Sequence, residues 1–170
     1  VCWISFADQA DVTSVSDVFP DAAENFLEFS TCGPAACCPT TKAVKNDLEA
    51  SYYFTLMETV RNCAKNCAGG CPVALTGFGR GGAVAQTAAV VLPDLDPAVI
   101  TFGQPASSQL PCAGLNTNKL YRFINTQAVN GAITYDPVPF IEFGGTSHSG
   151  RAFVFSTAFG PMTSYVGSEA

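Results

Sequence analysis

Charged residues are scarce in this chain of 170 residues: only 13% are Asp, Glu, Lys or Arg, so few surface ion pairs are expected. Eight Lys and Arg stand against fourteen Asp and Glu, which gives a net charge of -6. No basic cluster is present that could neutralise the phosphates of a nucleic acid, so we expect no nucleic-acid partner. Hydrophobic residues make up 48%, which excludes disorder as the main state because such a chain can bury a core.

Long apolar runs are also missing. The longest nearly apolar stretch, residues 83–92, is far shorter than the roughly 20 residues that span a bilayer, so we expect no transmembrane segment. The chain begins at Val1 without an initiator Met or a signal-peptide pattern and passes straight into a strand-like stretch. We therefore expect that an upstream segment has been removed. The length predicts one domain over residues 1–170.

Eight cysteines are present, an even number in a chain with a single histidine. They lie at positions 2, 32, 37, 38, 63, 67, 71 and 112. Disulfide bonds are the favoured interpretation, and they imply secretion or a lumenal compartment. A zinc site is the alternative, because Cys63, Cys67 and Cys71 are spaced four residues apart, although Cys-x2-Cys pairs are absent. The sequence alone does not decide the pairing.

Strands and helices alternate along the sequence, which predicts an α/β fold with a mostly parallel sheet covered by helices. Strands are predicted at residues 1–6, 72–76, 98–102 and 119–124, with 153–155 a last strand or the start of a helix. A short amphipathic helix is predicted over 12–19 and a long helix from about Thr41 to Gly69-Gly70. A further helix, rich in Ala and Val, ends at Leu92 before Pro93.

A glycine-rich turn, Gly77-Phe78-Gly79-Arg80-Gly81, joins the second predicted strand to the alanine-rich helix. Its position matches the nucleophile elbow, Gly-x-Ser-x-Gly, whose outer glycines let the helix pass close to the strand. The central residue of an elbow adopts a strained backbone conformation, and that residue is here Gly79. Glycine adopts the conformation without strain, but it supplies no nucleophilic atom.

The same glycines admit a second interpretation. Gly77, Gly79 and Gly82 satisfy Gly-x-Gly-x-x-Gly between a strand and a helix, the spacing of a dinucleotide-binding loop. Such a loop needs an acidic residue at the end of the next strand to bind the ribose, but the predicted strand 98–102 is followed by Gly103. We therefore expect no nucleotide and no other cofactor.

Several segments resemble the fungal-type (class 3) lipases, which are α/β-hydrolases, and the resemblance extends over nearly the whole chain. Residues 75–85 resemble the strand, elbow and helix of that family, and residues 100–105, Ile-Thr-Phe-Gly-Gln-Pro, resemble its characteristic strand end. Residues 121–125 and 135–139, Tyr-Arg-Phe-Ile-Asn and Tyr-Asp-Pro-Val-Pro, resemble the strand and loop that carry its catalytic acid. The resemblance implies an α/β-hydrolase-type sheet with helices on both faces, disulfide-linked and N-terminally truncated relative to the family.

The resemblance also assigns catalytic positions. Gly79 takes the place of the nucleophilic serine, Asp136 that of the acid and His148 that of the general base, in the chain order of an α/β-hydrolase. Taken without the resemblance, Asp136 before a proline is typical of a turn, and His148 beside Ser and Gly is typical of a surface loop. The site is therefore expected to retain two of three functional groups.

An oxyanion hole and a lid are implied in the same way. The family uses the backbone amide after the nucleophile, here Arg80, and a polar residue at the position of Gln9. Asp8 would oppose a developing oxyanion there, which favours natural loss of activity. The next segment stands where the family has its lid, and its apolar residues would cover an acyl groove or belong to the core. They are Val12, Val15, Val18 and Phe19.

Three functional hypotheses follow. The first is a secreted or lumenal lipase-like pseudoenzyme of lipid metabolism that binds a lipid, an ester or a protein partner, because the nucleophile is absent. The second is an active ester or triacylglycerol hydrolase carrying an inactivating Ser-to-Gly change, which the retained Asp136 and His148 favour. The third is a structural subunit of a larger assembly, for which an exposed apolar patch without an acyl pocket is expected.

Overall fold

The computed structural model describes residues 1–6, 53–66, 70–106, 108, 115–129, 132–136, 138–140, 147–156 and 163–164. Within these residues, seven strands form one sheet. The strands are β1 (Cys2–Phe6), β2 (Val73–Phe78), β3 (Ala98–Phe102), β4 (Leu120–Val129), β5 (Ala132–Tyr135), β6 (Arg151–Ser156) and β7 (Thr163–Ser164). The helices are α1 (Tyr53–Lys65) and α2 (Arg80–Val90), with short 3-10 turns at Pro93–Leu95, Thr117–Lys119 and Val138–Phe140.

The sheet is mostly parallel. Its strand order is β1-β2-β3-β4-β6-β7, with β5 paired to β4. Strands β1, β2, β3, β4 and β6 run parallel to their neighbours in this order, whereas β5 is antiparallel to β4 and β7 to β6. The predicted α/β fold with a mostly parallel sheet is therefore confirmed.

Helix α2 packs on β1, β2 and β3, and every one of its residues is buried. Its glycine and alanine residues explain this close approach, because they leave little bulk between the helix and the strands. A Cβ at Gly82 would lie 3.1 Å from the Cβ atoms of both Thr101 and Gln104, tighter than ordinary contact. The absence of a side chain at Gly82 thus allows α2 to pack closely against β2 and β3.

Helix α1 contributes to the same hydrophobic core through Met57, Val60 and Ala64. These residues are spaced three and four apart, so they lie along one side of the helix. The predicted start of this helix near Thr41, and the short helix predicted over 12–19, lie outside the described residues. No helix in the part of the chain that the structure describes is long and apolar enough to cross a membrane.

A disulfide bond between Cys2 and Cys63 joins β1 to α1, with the two Cα atoms 6.0 Å apart. Cys71 is also disulfide-bonded, so none of the three cysteines described is a free thiol. The prediction of disulfides is confirmed for these residues. The zinc alternative needs thiolates at Cys63 and Cys71, and both sulfurs are instead oxidised.

The carboxyl-terminal half contains strands that sequence analysis missed. β4 continues to Val129, and β5 runs back along it with Val129 opposite Ala132. The two intervening residues are Asn130-Gly131, the pair most typical of a two-residue hairpin turn, so this hairpin did have a local signal. The segment 153–155 is part of strand β6, which settles its open assignment in favour of a strand.

Candidate functional site

The turn between β2 and α2 has the backbone of an elbow. Gly79 adopts φ 54° and ψ -126°, a conformation that residues with a side chain rarely occupy, and it caps the amino end of α2. Its N–H donates to the carbonyl of Phe102 at 2.8 Å, and its carbonyl accepts from the N–H of Gly82 at 3.1 Å. The turn is therefore fixed to β3 on one side and to the first turn of α2 on the other.

The outer glycine of the motif is sterically required. A Cβ at Gly77 would overlap the backbone of Gly81 and would lie 2.6 Å from the backbone nitrogen of Gly82. Helix α2 can therefore leave the strand at this angle only because position 77 has no side chain. This is the role that the elbow motif predicts for its first glycine.

Asp136 lies beside the end of β3. Its N–H donates to the carbonyl of Asn125 at 3.2 Å, and its Oδ1 accepts from the N–H of Val138 at 3.0 Å. Its Oδ2 lies 3.2 Å from the place that a Cβ of Gly103 would occupy. Gly103 follows β3 at φ 59°, so it combines a left-handed backbone with close approach of a carboxylate.

The ring of Phe78 approaches the same point. Its Cε2 lies 3.5 Å from the place of a Cβ at Gly103, and the side chain is 60% exposed. Phe102, which pairs with Phe78 in register on β3, is 41% exposed. We call Gly79, Gly103, Phe78, Phe102 and Asp136 the elbow edge. Sequence analysis missed the roles of Gly103 and Phe78, although a glycine directly after a strand is a signal for close approach.

His148 is placed differently. It precedes β6, which begins at Arg151, whereas Gly79 and Gly103 follow the carboxyl ends of β2 and β3. Its Nε2 is hydrogen-bonded to the carbonyl of Pro139, and because a carbonyl can only accept, Nε2 carries the proton. Among the hydrogen bonds of the described residues, none joins His148 to Asp136. The structure therefore brings Asp136 to the elbow edge but does not pair the imidazole with it.

Burial lowers the pKa of His148 from 6.5 to about 4, and the positive charge of Arg122 acts in the same direction, while the bond to Pro139 opposes both. The imidazole is therefore neutral near pH 7. With Nε2 protonated, the lone pair is on Nδ1. A serine triad needs the opposite arrangement, with Nδ1–H bonded to the acid and the lone pair of Nε2 directed at the nucleophile.

The remaining predicted site residues have separate outcomes. Arg80 is the first residue of α2, so its backbone amide directly follows position 79, as an oxyanion donor would. Gln9 lies outside the described residues, as do the predicted lid residues Val12, Val15, Val18 and Phe19. Their roles stay predictions. No group of three or more His, Cys, Asp or Glu that could hold a metal ion occurs among the residues the structure describes.

Among known proteins, the chain matches solved structures but no family model or curated protein. It is similar to the mono- and diacylglycerol lipase from Aspergillus oryzae, with 17% identity and a TM-score of 0.66 over 96% of this chain and 61% of that one. It is similar to Rhizomucor miehei lipase in its propeptide complex, with 18% identity and a TM-score of 0.57 over 94% of this chain and 50% of that one. It is also similar to Lip2 lipase from Yarrowia lipolytica, with 17% identity and a TM-score of 0.56 over 80% of this chain and 52% of that one.

At these identities the similarity establishes the fold alone. The chain spans about half of the length of the solved lipases, between 50% and 61% for these three. Their similarity agrees with the parallel strands, the elbow backbone and the packing of α2 described above. The chain therefore has the α/β-hydrolase-type fold of the fungal, class 3 lipases, with a mostly parallel sheet, helices and a disulfide bond.

Proposed function

We propose that the chain is a lipase-like pseudoenzyme that binds a lipid or ester ligand, or a protein partner, at its elbow edge without hydrolysing an ester. The observation that carries this proposal is Gly79, which has an elbow backbone but no side-chain oxygen. Serine ester hydrolysis needs an oxygen nucleophile, an imidazole that takes its proton and a carboxylate that orients the imidazole. The glycine removes the first of these.

The direction of the His148 ring supports natural loss of activity over a single inactivating change. Its Nε2 donates to the Pro139 carbonyl, so it is not available to take a proton from an oxygen at position 79. A hydrolase that differed from an active enzyme only at Gly79 would keep the acid and the imidazole paired. The second candidate, an active hydrolase with a Ser-to-Gly change, therefore needs a rearrangement of His148 as well as a serine.

Exposed aromatic side chains support binding of an apolar group at the elbow edge. Phe78 and Phe102 are 60% and 41% exposed and lie on neighbouring strands. The structural-subunit hypothesis is favoured by a different residue, Trp3, which is 59% exposed on β1. The disulfide bonds support a secreted or lumenal location for any of these functions.

Hydrolysis by three matched proteins tests the absence of activity: the parent chain, Gly79→Ser and Gly79→Ala. The alanine variant has the same Cβ as serine without the oxygen, so it controls for backbone strain. We expect all three to hydrolyse tributyrin at the same background rate in a pH-stat. Loss of a triad nucleophile costs roughly 10⁶-fold in kcat, so a Gly79→Ser rate at least about 10³-fold above Gly79→Ala would favour the inactivated hydrolase instead.

Ligand binding is tested with 3,3-dimethylbutyl hexanoate, a neutral ester, by titration calorimetry. We expect saturable binding that weakens in Phe78→Ala and persists in Trp3→Ala, which removes an exposed aromatic side chain from β1. Absence of saturable binding, or equal loss in both variants, would contradict a ligand site at the elbow edge.

A further inference from the structure

We propose that Asp136 and Phe78 form a binding site for an organic cation, an alkylated ammonium group on the ligand of the elbow edge. The inference rests on the proposed function, because it assigns a chemical class to the ligand of that same site. Its basis is one juxtaposition: a carboxylate oxygen and an exposed phenyl ring meet over Gly103, which has no side chain to separate them.

In the part of the chain that the structure describes, the carboxylate of Asp136 has no positive partner. Asp136 Oδ1 accepts the N–H of Val138, but among the described residues Oδ2 accepts no hydrogen bond and no ion pair includes Asp136. The imidazole that would balance this charge in a working triad is bonded to Pro139 instead. A half-buried carboxylate without a counter-charge attracts a cation more strongly than one in bulk water, because the local dielectric is lower.

The ring of Phe78 selects among cations. The faces of an aromatic ring carry negative electrostatic potential, and they attract ammonium groups that lie over them. Phe78 places the edge of its ring against Gly103 and leaves 60% of its surface exposed. Phe102, its register partner, stacks on Phe123 with ring centroids 5.2 Å apart, so the neighbouring ring is held in place.

An alkylated ammonium group fits this pair better than a metal ion does. Calcium and magnesium ions require about six or more oxygen ligands, and a phenyl ring supplies none. The methyl groups of a quaternary ammonium, by contrast, lose little hydration against a ring, and its charge faces the carboxylate. Aromatic faces combined with a negative group are the arrangement by which proteins recognise such ligands.

The test compares two esters of the same shape. Hexanoylcholine and 3,3-dimethylbutyl hexanoate differ in having a positive nitrogen or a neutral carbon at the branched end, and both are titrated calorimetrically into the parent chain. We expect the cationic ester to bind about tenfold more tightly, as one desolvated cation–π contact beside a carboxylate provides. Choline should displace hexanoylcholine, and 3,3-dimethylbutan-1-ol at the same concentration should not.

Two substitutions test whether the preference for the cationic ester arises at Phe78 and Asp136. Phe78→Leu keeps apolar bulk but removes the ring, and Asp136→Asn keeps the shape but removes the charge. Each should abolish most of the tenfold preference while the neutral ester still binds. The matched controls are Trp3→Leu and Glu58→Gln, an exposed aromatic residue on β1 and an exposed acid on α1, and both should retain the preference.

Equal binding of the two esters by the parent chain would overturn the cation site, and that comparison needs no variant to fold. A preference that survives both Phe78→Leu and Asp136→Asn would also overturn it. In either case, binding of the neutral ester would leave the proposed function standing. Failure of the neutral ester to bind would count against the proposed function itself, whatever the cationic ester does.

Discussion

Gly79 donates its backbone N–H to the carbonyl of Phe102 at 2.8 Å, and this bond ties the elbow to the end of the adjacent strand. The bond involves main-chain atoms only, so it does not depend on the side chain at position 79. The elbow backbone can therefore form without a side-chain nucleophile at this position. Its shape is maintained by the sheet and by α2, while the chemistry of an elbow depends on a single side-chain oxygen.

Substitution of Gly79 should reduce stability whether or not it restores an oxygen. At φ 54° and ψ -126° a side chain is strained, so we expect Gly79→Ser and Gly79→Ala each to lower the free energy of unfolding by about 1–3 kcal/mol. Urea denaturation followed by circular dichroism measures this. A serine variant clearly more stable than the alanine variant would indicate that the serine hydroxyl finds a partner at the elbow.

Substitution of Gly77 should be more damaging. A Cβ there overlaps the backbone of Gly81, which cannot move without displacing α2 from the sheet, so we expect Gly77→Ala to cost at least about 3 kcal/mol. Gly70→Ala is the control, because Gly70 has φ 82° but no atom within 4 Å of a Cβ, and it should cost about 1–2 kcal/mol. Similar losses of stability in Gly77→Ala and Gly70→Ala would mean that the overlap with the Gly81 backbone does not determine the cost at Gly77.

The elements nearest the elbow were predictable from local signals. Strand β3 begins at Ala98 and ends at Phe102, as its apolar run between Pro and Gly predicted. The elbow was predicted for a similar reason. Glycines at fixed spacing between a strand and a helix indicate a turn in which the helix passes close to the strand, and this spacing is visible in the sequence. The hairpin of β4 and β5 was missed although Asn130-Gly131 marked it.

The arrangement of the site was not predictable to the same degree. The sequence shows that His148 follows Asp136 along the chain. It does not show whether His148 lies before or after a strand of the sheet. Asp136 reaches the elbow edge because β5 runs back along the end of β4, where the N–H of Asp136 bonds to the carbonyl of Asn125, whereas His148 precedes β6. The meeting of Asp136 and Phe78 over Gly103 joins residues far apart in the chain, and no local pattern encodes it.

The disulfide between Cys2 and Cys63 should contribute substantially to stability. It closes a loop with a sequence separation of 61 residues, and restriction of the unfolded chain then accounts for about 4 kcal/mol. We expect Cys2→Ala with Cys63→Ala to lower the free energy of unfolding by an amount of that order, measured by urea denaturation without reductant. A loss below about 1 kcal/mol would mean that strain or residual structure offsets the cross-link.

The pH dependence of stability should report the environment of His148. Burial first, and the charge of Arg122 second, lower its pKa from 6.5 to about 4, so the unfolded chain binds a proton in a range where the folded chain does not. The free energy of unfolding contributed by neutral His148 is therefore complete above pH 6.5 and is lost as the pH falls towards 4. A shift of this size corresponds to a loss of order 3 kcal/mol.

His148→Gln isolates this contribution from the carboxylates that titrate in the same range, because its side-chain amide can still donate to the Pro139 carbonyl but does not titrate. Between about pH 4.5 and about pH 7.5, a range around the two pKa values of His148, we expect the parent to become more stable relative to His148→Gln as the pH rises. Denaturation curves at intermediate pH values would place the midpoint. A difference that does not change with pH would show that the imidazole is as accessible to protons in the folded chain as in the unfolded one.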